Sequence, residues 1–356
     1  IGCAECLCPL ALKLGRSSAS INFVSHCLPN VVMRATRLES MVLISRILLC
    51  ALLRSMRLRR KAIAHNGKLY KLLGLVSALQ YEDRELRRLQ LLELRILQDI
   101  DRVCDELGIT YFLDSGSVLG ALRHRGFIPW DDDIDLGMPR ADYERFVHEA
   151  PKLLGDEYVV STPEINPSQA ALFCKVWLRG TRFATEETIQ AGFNQGVFVD
   201  ILPYDALSRD EKLARKQRRS CRFWQSVSYL YHAKSIVLPH DGVVASIEHL
   251  ACGFAHVAAR ALFSPDKIVS SFNRAATLAN DAEQVPEELV VMAYSTYKPY
   301  KTSMMLPPSM VLFEGHEFPA PAQSEAFLCQ LYGDWRELPP VGKRRNTESD
   351  RKSGSA

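Results

Sequence analysis

Four aspartates lie within five consecutive positions of this chain, namely Asp131, Asp132, Asp133 and Asp135. If the stretch is a strand, Asp131, Asp133 and Asp135 project from one face, whereas Asp132 and Ile134 face the other way. Two carboxylates about 4 Å apart repel each other by about 4 kcal/mol at an effective dielectric constant of about 20. Either one takes up a proton or a divalent cation binds between them. The stretch therefore predicts a Mg²⁺ site, with Mn²⁺ as the alternative ion, or else a solvated acidic loop.

A further acid, Asp200, lies within the apolar run VFVDI at 197–201. A carboxylate in an apolar strand is seldom buried without a partner. Two interpretations are open. Asp200 forms a salt bridge with a nearby Lys or Arg, or it joins Asp133 and Asp135 from an adjacent strand. The second interpretation predicts a metal site made of Asp133, Asp135 and Asp200.

Residues suited to phosphate binding accompany these acids. Two glycines flank a predicted tight turn at 116–120, whose backbone amides and serine hydroxyl could cradle phosphate. The candidate substrate-binding residues are Gly116, Ser117, Gly120, Arg123, His124, Lys175 and Trp130. His124 is alternatively a structural hydrogen-bonding residue, and Lys175 a partner for an acid. Trp130, Trp177 and Tyr204 either offer aromatic faces to a quaternary ammonium group or belong to the core.

Strands and helices alternate irregularly around these residues. Apolar residues at helical spacing predict a helix that ends before Gly108. The predicted helices are 83–107 and 142–154, the predicted strands are 110–114, 133–138, 172–178 and 196–202, and 208–280 is mostly helical. This mixture without regular βαβ units indicates the α+β class.

The composition restricts the class of protein and its partners. The 356 residues are 47% hydrophobic and 24% charged, which excludes wholesale disorder and a coiled coil. A net charge of +3 gives no field that points to nucleic acid. Ten cysteines are too dilute for a disulfide scaffold, so we expect a reduced, cytoplasmic protein.

The chain divides into three predicted parts. These are an N-terminal extension at 1–82, a catalytic domain at 83–345 with a helical insert at about 208–306, and a disordered tail at 346–356. The extension is either a basic amphipathic segment or sequence upstream of the true start. The chain has no uninterrupted apolar run of about 18 residues. Its basic segments are either solvated or make peripheral contact with the inner face of a membrane.

The stretch GSVLGALRHRGFIPWDDDIDLGMPRADYERF at 116–146 closely resembles the core signature of the LicD/fukutin family, within the nucleotidyltransferase-fold superfamily. KVWLRGTRF at 175–183, GVFVDILPYD at 196–205 and YGDWRELPP at 332–340 are similar to later blocks of that family. The resemblance covers about 89–345 and is loose in the insert. It implies a mixed-sheet core with flanking helices.

The resemblance also implies roles for individual residues. The glycine–serine turn of the family falls on Gly116 and Ser117, its paired acids on Asp133 and Asp135, and its third acid on Asp200. Its additional upstream acid falls on Asp131. Either Asp131 or Asp200 is then expected to accept the proton of the acceptor hydroxyl. One departure is that family members often carry a histidine shortly after the proline pair, where this chain reads VGKRRNTES.

The activity implied is that of a Mg²⁺-dependent phosphotransferase. It would transfer a phospho-alcohol group such as phosphocholine from a CDP-linked donor to a hydroxyl of a cell-surface glycan or lipid-linked glycan. Lipopolysaccharide, teichoic acid and capsule are the expected acceptors. Two alternatives are open, a nucleotidyltransferase that makes an activated CDP or UDP compound and a non-catalytic scaffold for glycosylation.

Overall fold

The computed structural model describes residues 83–233, 243–280, 285–294 and 297–340. The predicted extension at 1–82 and the predicted tail at 346–356 lie outside the described residues. The helices are α1 (Asp83–Leu107), α2 (Ser115–His124), α3 (Arg140–Leu154), α4 (Glu186–Ala191), α5 (Glu211–His232), α6 (Val243–Leu262), α7 (Pro265–Ala276), α8 (Thr302–Met305) and α9 (Ser324–Tyr332). The strands are β1 (Phe112–Leu113), β2 (Asp135–Pro139), β3 (Tyr158–Ser161), β4 (Cys174–Leu178), β5 (Phe198–Ala206), β6 (Glu288–Val291), β7 (Tyr300–Lys301), β8 (Ser309–Phe313) and β9 (His316–Ala320).

One mixed sheet carries the candidate site residues. Its strand order is β1-β2-β5-β4-β3, with β6 paired to the second half of β5 and β7 paired to β6. Strands β2 and β5 run parallel, and the other pairs in this sheet are antiparallel. All nine residues of β5 are buried, as expected for a central strand covered on both faces. The predicted α+β class is confirmed.

Helices cover the sheet through apolar faces. Helix α1 has the bounds predicted from its apolar repeat, and Leu97, Ile100 and Val103 are fully buried in the core. Gly108, with φ of 61°, ends this helix in the left-handed conformation that glycine adopts readily. Helix α3 packs on β2, β3 and β5, and α2 contacts β2 and the β8–β9 hairpin.

Gly137 of β2 leaves room for two aromatic rings from the neighbouring strands β1 and β5. A Cβ at Gly137 on β2 would lie 2.2 Å from the Phe112 ring and 2.7 Å from the Tyr204 ring. These two rings pack edge to face with centroids 5.1 Å apart. The absence of a side chain at Gly137 therefore allows the ring of Tyr204 on β5 to pack against the ring of Phe112 on β1.

The predicted insert is not helical throughout. Helices α5, α6 and α7 occupy 211–276, but β6 and β7 return the chain to the main sheet within the range predicted as insert. The sequence pattern missed these strands because β7 has two residues and β6 only four. Among the described residues, no helix has the length and apolar character needed to cross a membrane.

Candidate active site

Two acids and one lysine stand side by side on three adjacent strands. Asp135 of β2 is paired in register with Asp200 of β5, and Asp200 is paired with Lys175 of β4. The Lys175 Nζ atom lies 2.5 Å from Asp200 Oδ1, and both side chains are about nine-tenths buried. The salt-bridge interpretation of Asp200 is therefore confirmed, and Asp200 also lies in register with Asp135. A metal site of Asp133, Asp135 and Asp200 stays a prediction.

The aspartates that precede β2 form a compact acidic loop, which we define as Asp131, Asp132 and Asp133. Each contributes a carboxylate oxygen, and these oxygens lie within 4.8 Å of one another. The expectation that Asp132 faces away from Asp131 and Asp133 is wrong. Residues 131–134 precede the strand, which begins only at Asp135, so the alternation of side chains along a strand does not apply to them.

Helix α2 fixes the position of β2 and of the acidic loop. The Ser117 hydroxyl accepts a hydrogen bond of 3.0 Å from the backbone N–H of Asp135. A Cβ at Gly116 would lie 2.9 Å from Asp131 Oδ2, so glycine leaves room for that carboxylate. The predicted tight turn flanked by Gly116 and Gly120 is wrong, because both glycines lie inside α2. The helix begins early because Asp114 caps it, accepting a hydrogen bond of 2.7 Å from the N–H of Ser115.

Asp114 is a buried acid of the site that sequence reasoning missed. Its Oδ2 atom accepts a hydrogen bond of 2.9 Å from the Tyr204 hydroxyl. Burial raises the pKa of Asp114 to about 6, although its bonds from Tyr204 and Ser115 act in the opposite direction. The Ser115 hydroxyl is in turn 2.7 Å from the hydroxyl of Tyr297. An acid between a short strand and a helical pattern is the signal that could have revealed this N-cap.

Glu93 of α1 is a second acid that the sequence analysis missed. Its side chain is 1% exposed, and its Oε2 atom has no hydrogen-bond partner among the described residues. Burial raises the pKa of Glu93 well above its usual range, and Asp133, Asp132 and Asp131 raise it further. An acid within the apolar stripe of a helix was the available signal.

Negative charge is concentrated where the acidic loop meets β2. Burial raises the pKa of Asp135 well above its usual range, and the charges of Asp133 and Asp200 add to this effect. Burial likewise raises the pKa of Asp131, with further contributions from Asp133 and Asp132 and from a hydrogen bond with Asp133. Carboxylates in such a group share protons or bind a cation.

The donor set fits a hard divalent cation such as Mg²⁺, which takes carboxylate oxygens as ligands. The acidic loop offers three oxygens within reach of one ion. The predicted metal set of Asp133, Asp135 and Asp200 shares Asp133 with that loop, and the register of β2 and β5 places the other two together.

The remaining predicted substrate-binding residues lie in two places. Arg123 donates hydrogen bonds to His124 Nε2 at 3.0 Å and to the carbonyl oxygen of Trp335 at 3.0 Å, so it holds the C-terminal segment against α2. The His124 ring contacts the edge of Trp130, which is half-buried. Burial lowers the pKa of His124, and the charge of Arg123 lowers it further. Lys175 is separate from this group and lies with Asp200.

Two aromatic residues considered for an ammonium group belong to the core. Trp177 is buried and packs edge to face on Phe193. Tyr204 is 1% exposed, and its hydroxyl is bonded to Asp114. Neither ring is therefore available to a ligand.

A pocket opens beside Asp200 and Lys175. The Lys175 ammonium group lies 3.7 Å from the centroid of the Phe198 ring and 5.4 Å from that of Phe173. Aromatic and hydroxyl-bearing side chains make up much of its wall, among them Phe173, Phe193, Phe198, Thr188, Tyr229 and Tyr294. The pocket could therefore bind a group that carries both apolar surface and hydrogen-bonding atoms.

The fold and the site define an α+β protein in which acids from two adjacent parallel strands, a preceding acidic loop and a capped helix converge. Residues 108–223 match the family described as LicD/FKTN/FKRP, nucleotidyltransferase domain. This match covers about a third of the chain and confirms the resemblance seen in the sequence.

Individual proteins show the same similarity. The chain is 28% identical over 262 residues to lipopolysaccharide cholinephosphotransferase LicD of Haemophilus influenzae, which covers 72% of this chain and 92% of that protein. It is 47% identical over 49 residues to ribitol 5-phosphate transferase FKRP of Homo sapiens and of Mus musculus, covering 13% of this chain and 10% of each of theirs. The predicted enzyme class, a phosphotransferase, agrees with the name of the first relative.

Proposed function

We propose that this chain transfers a phospho-alcohol group, phosphocholine or a similar group, from a CDP-linked donor to a hydroxyl of a cell-surface glycan. The observation that carries the proposal is the pairing of Asp135 with Asp200 across parallel strands, next to the acidic loop. The similarity to a cholinephosphotransferase over 92% of that relative supports the phosphocholine variant. The shorter similarity to ribitol 5-phosphate transferases supports the wider class of phospho-alcohols.

Divalent metal is part of the proposal. Asp133, Asp135 and Asp200 would hold Mg²⁺ or Mn²⁺, and the oxygens of Asp131 and Asp132 lie close enough to Asp133 to assist. The bound ion would neutralise charge that develops on the phosphoryl oxygens and on the leaving CMP.

The residues of the chain itself have three tasks. Ser117 and the capped start of α2 hold β2, and therefore Asp135, in place. Lys175 compensates the charge of Asp200, so that two acids can stand side by side in a buried sheet. Asp131 or Asp200 would accept the proton of the acceptor hydroxyl.

The pocket beside Asp200 would receive the alcohol of the donor or the acceptor sugar. Because the Lys175 ammonium already contacts the Phe198 and Phe173 rings, a choline group would have to use the other aromatic walls, such as Phe193, Tyr229 and Tyr294. A polyol or a sugar would instead use the hydroxyl and amide groups of the pocket.

The release of CMP tests this function directly. The full chain is incubated with CDP-choline, CDP-ribitol or CDP-glycerol and a glycan acceptor, with Mg²⁺ or with EDTA. We expect CMP with at least one donor, and loss of CMP with EDTA and in the Asp133→Ala and Asp135→Ala variants. The exposed Asp266 of α7 provides the control substitution Asp266→Ala. Turnover that persists in EDTA or in both site variants contradicts the mechanism.

The alternative of a nucleotidyltransferase is kept because the matching family is described by that domain name. This alternative predicts pyrophosphate from a nucleoside triphosphate and no CMP from a CDP-linked compound. A protein inactive in both assays, yet still folded, would support the scaffold interpretation.

Peripheral contact with a membrane is a separate proposal. Helix α5 exposes Lys212, Arg215, Lys216 and Arg219, which could bind anionic lipid headgroups. Sedimentation with vesicles that contain anionic lipid, compared with neutral vesicles, tests it. Equal binding to both vesicle types, or to neither, contradicts an electrostatic contact.

A further inference from the structure

One face of α1 lies along the segment 127–131, which leads to the acidic loop. Three side chains spaced three residues apart lie on this face, namely Arg87, Gln90 and Glu93. Arg87 donates hydrogen bonds of 3.1 and 2.6 Å to the carboxylate of Glu314, which itself accepts a bond of 3.1 Å from the backbone N–H of Phe127. One turn further on, the Gln90 amide donates a bond of 2.9 Å to the carbonyl oxygen of Asp131. Helix α1 is thus fastened to both ends of the segment 127–131.

Glu93 is the next side chain on this face. Residues three apart on a helix are neighbours, so the Gln90 contact brings the Glu93 carboxyl group to the acidic loop. The electrostatic neighbours of Glu93 are Asp133, Asp132 and Asp131, in decreasing order of their effect. Its Oε2 atom is buried and has no hydrogen-bond partner among the described residues.

Burial of the Glu93 carboxyl group beside the acidic loop destabilises the folded protein when no cation is bound. A buried polar atom without a hydrogen bond costs about 1–3 kcal/mol, and more if it is charged. A structural acid would gain from a nearby Arg or Lys, yet the groups with the strongest charge effect on Glu93 are all negative. A buried carboxylate that faces other carboxylates is instead suited to balance a bound cation.

We propose that Glu93 is a positioning residue of the divalent-cation site, whose negative charge strengthens binding of the ion at the acidic loop. This inference rests on the proposed function, because it assumes that the loop binds Mg²⁺ or Mn²⁺. It adds a residue from α1 to a set that otherwise comes from the sheet and the segment before β2. Residues of this kind, which act through the ligands of an ion, typically contribute about 10–100-fold to its affinity.

Mn²⁺ binding to the full chain tests the proposal without an activity assay. Free Mn²⁺ is followed by its electron paramagnetic resonance signal as protein is added. We expect Glu93→Gln, which keeps the shape and removes the charge, to bind Mn²⁺ about 10–100-fold more weakly than the unsubstituted chain. Glu85, which is exposed on the same helix, supplies the matched control, and Glu85→Gln should leave the affinity unchanged.

A second variant separates charge from packing. Glu93→Asp keeps the charge on a shorter side chain, so it should bind Mn²⁺ more tightly than Glu93→Gln. Affinity within about twofold of the unsubstituted chain in Glu93→Gln, or equal weakening in both variants, overturns the inference and leaves the proposed function standing. If the unsubstituted chain binds no Mn²⁺, both the metal part of the proposed function and this inference are wrong.

Discussion

The hydroxyl of Ser117 accepts a hydrogen bond from the backbone N–H of Asp135, which joins the first turn of α2 to the first residue of β2. Ser117 is only 4% exposed. The position of Asp135 opposite Asp200 therefore depends on a side chain from a different element. Ser117, which the sequence predicts as a phosphate-binding residue, therefore has a structural role.

Replacing this serine tests that task. Ser117→Ala leaves the N–H of Asp135 without its partner, so we expect the free energy of unfolding to fall by about 1–3 kcal/mol. Denaturant unfolding measures the change. Ser270→Ala on the exposed part of α7 is the control and should change stability by less than about 0.5 kcal/mol. Equal effects of the two substitutions would show that the bond contributes nothing.

Substitution of the two glycines of α2 should have different effects: Gly116→Ala should mainly reduce activity, and Gly120→Ala should mainly reduce stability. In Gly116→Ala the new Cβ would lie 2.9 Å from Asp131 Oδ2, so that carboxylate must move. We expect CMP release to fall at least about tenfold, whereas stability changes by no more than about 1 kcal/mol because alanine favours helix. In Gly120→Ala the Cβ would lie 2.4 Å from the carbonyl oxygen of Gly126, and we expect a loss of about 1–3 kcal/mol in stability.

Gly253→Ala on α6 is the control for both substitutions, since a Cβ there meets no atom within 4 Å. It should preserve activity and stability. The interpretation fails if Gly116→Ala keeps full activity, or if Gly120→Ala is as stable as Gly253→Ala.

Local patterns predicted much of this fold. Helix α1 follows from its apolar repeat and from Gly108, since both act over a few residues. The sequence offers the neighbouring positions of Asp135 and Asp200 as one of two alternatives. The sequence could not decide between them, because strand register depends on contacts between distant segments.

The errors in the site have three separate structural causes. The spacing predicts a strand at 133–138, but the strand begins only at Asp135, after a turn in which the N–H of Asp131 bonds to the carbonyl oxygen of Ile128. The glycine spacing predicts a tight turn at Gly116, although the cap at Asp114 starts the helix before it. Glu93 was overlooked because a helical repeat does not reveal what its buried face meets.

Substitutions of Lys175 and Asp200 should have strongly non-additive effects on the free energy of unfolding, because the two side chains form a buried ion pair. Lys175→Met removes the ammonium group that lies against the buried Asp200 carboxylate, so we expect a loss of about 3–5 kcal/mol in the free energy of unfolding. Removing the charge of Asp200 as well, in Lys175→Met with Asp200→Asn, should restore part of that loss. Denaturant unfolding of both single variants and the double variant, in EDTA, gives the coupling energy. Strictly additive effects would mean that the two charges do not depend on each other.

Asp114 should make stability depend on pH. Its pKa is raised from 3.8 to about 6 by burial, so the folded state holds a proton that the unfolded state releases. The free energy of unfolding contributed by this group is therefore highest at low pH and falls as the pH rises from about 4 to about 6. The loss is on the order of 3 kcal/mol. Unfolding of the original chain and of Asp114→Asn, measured across this range in EDTA, isolates the effect because the other acids are common to both.

Asn at this position can still accept the hydrogen bond from Ser115, so the cap of α2 is preserved. The stability of the original chain relative to Asp114→Asn should decrease with pH up to about 6 and then remain constant. A difference that does not change with pH would show that Asp114 titrates as it does in the unfolded chain. A difference that increases with pH would mean that the hydrogen bonds from Tyr204 and Ser115 outweigh burial and stabilise the carboxylate.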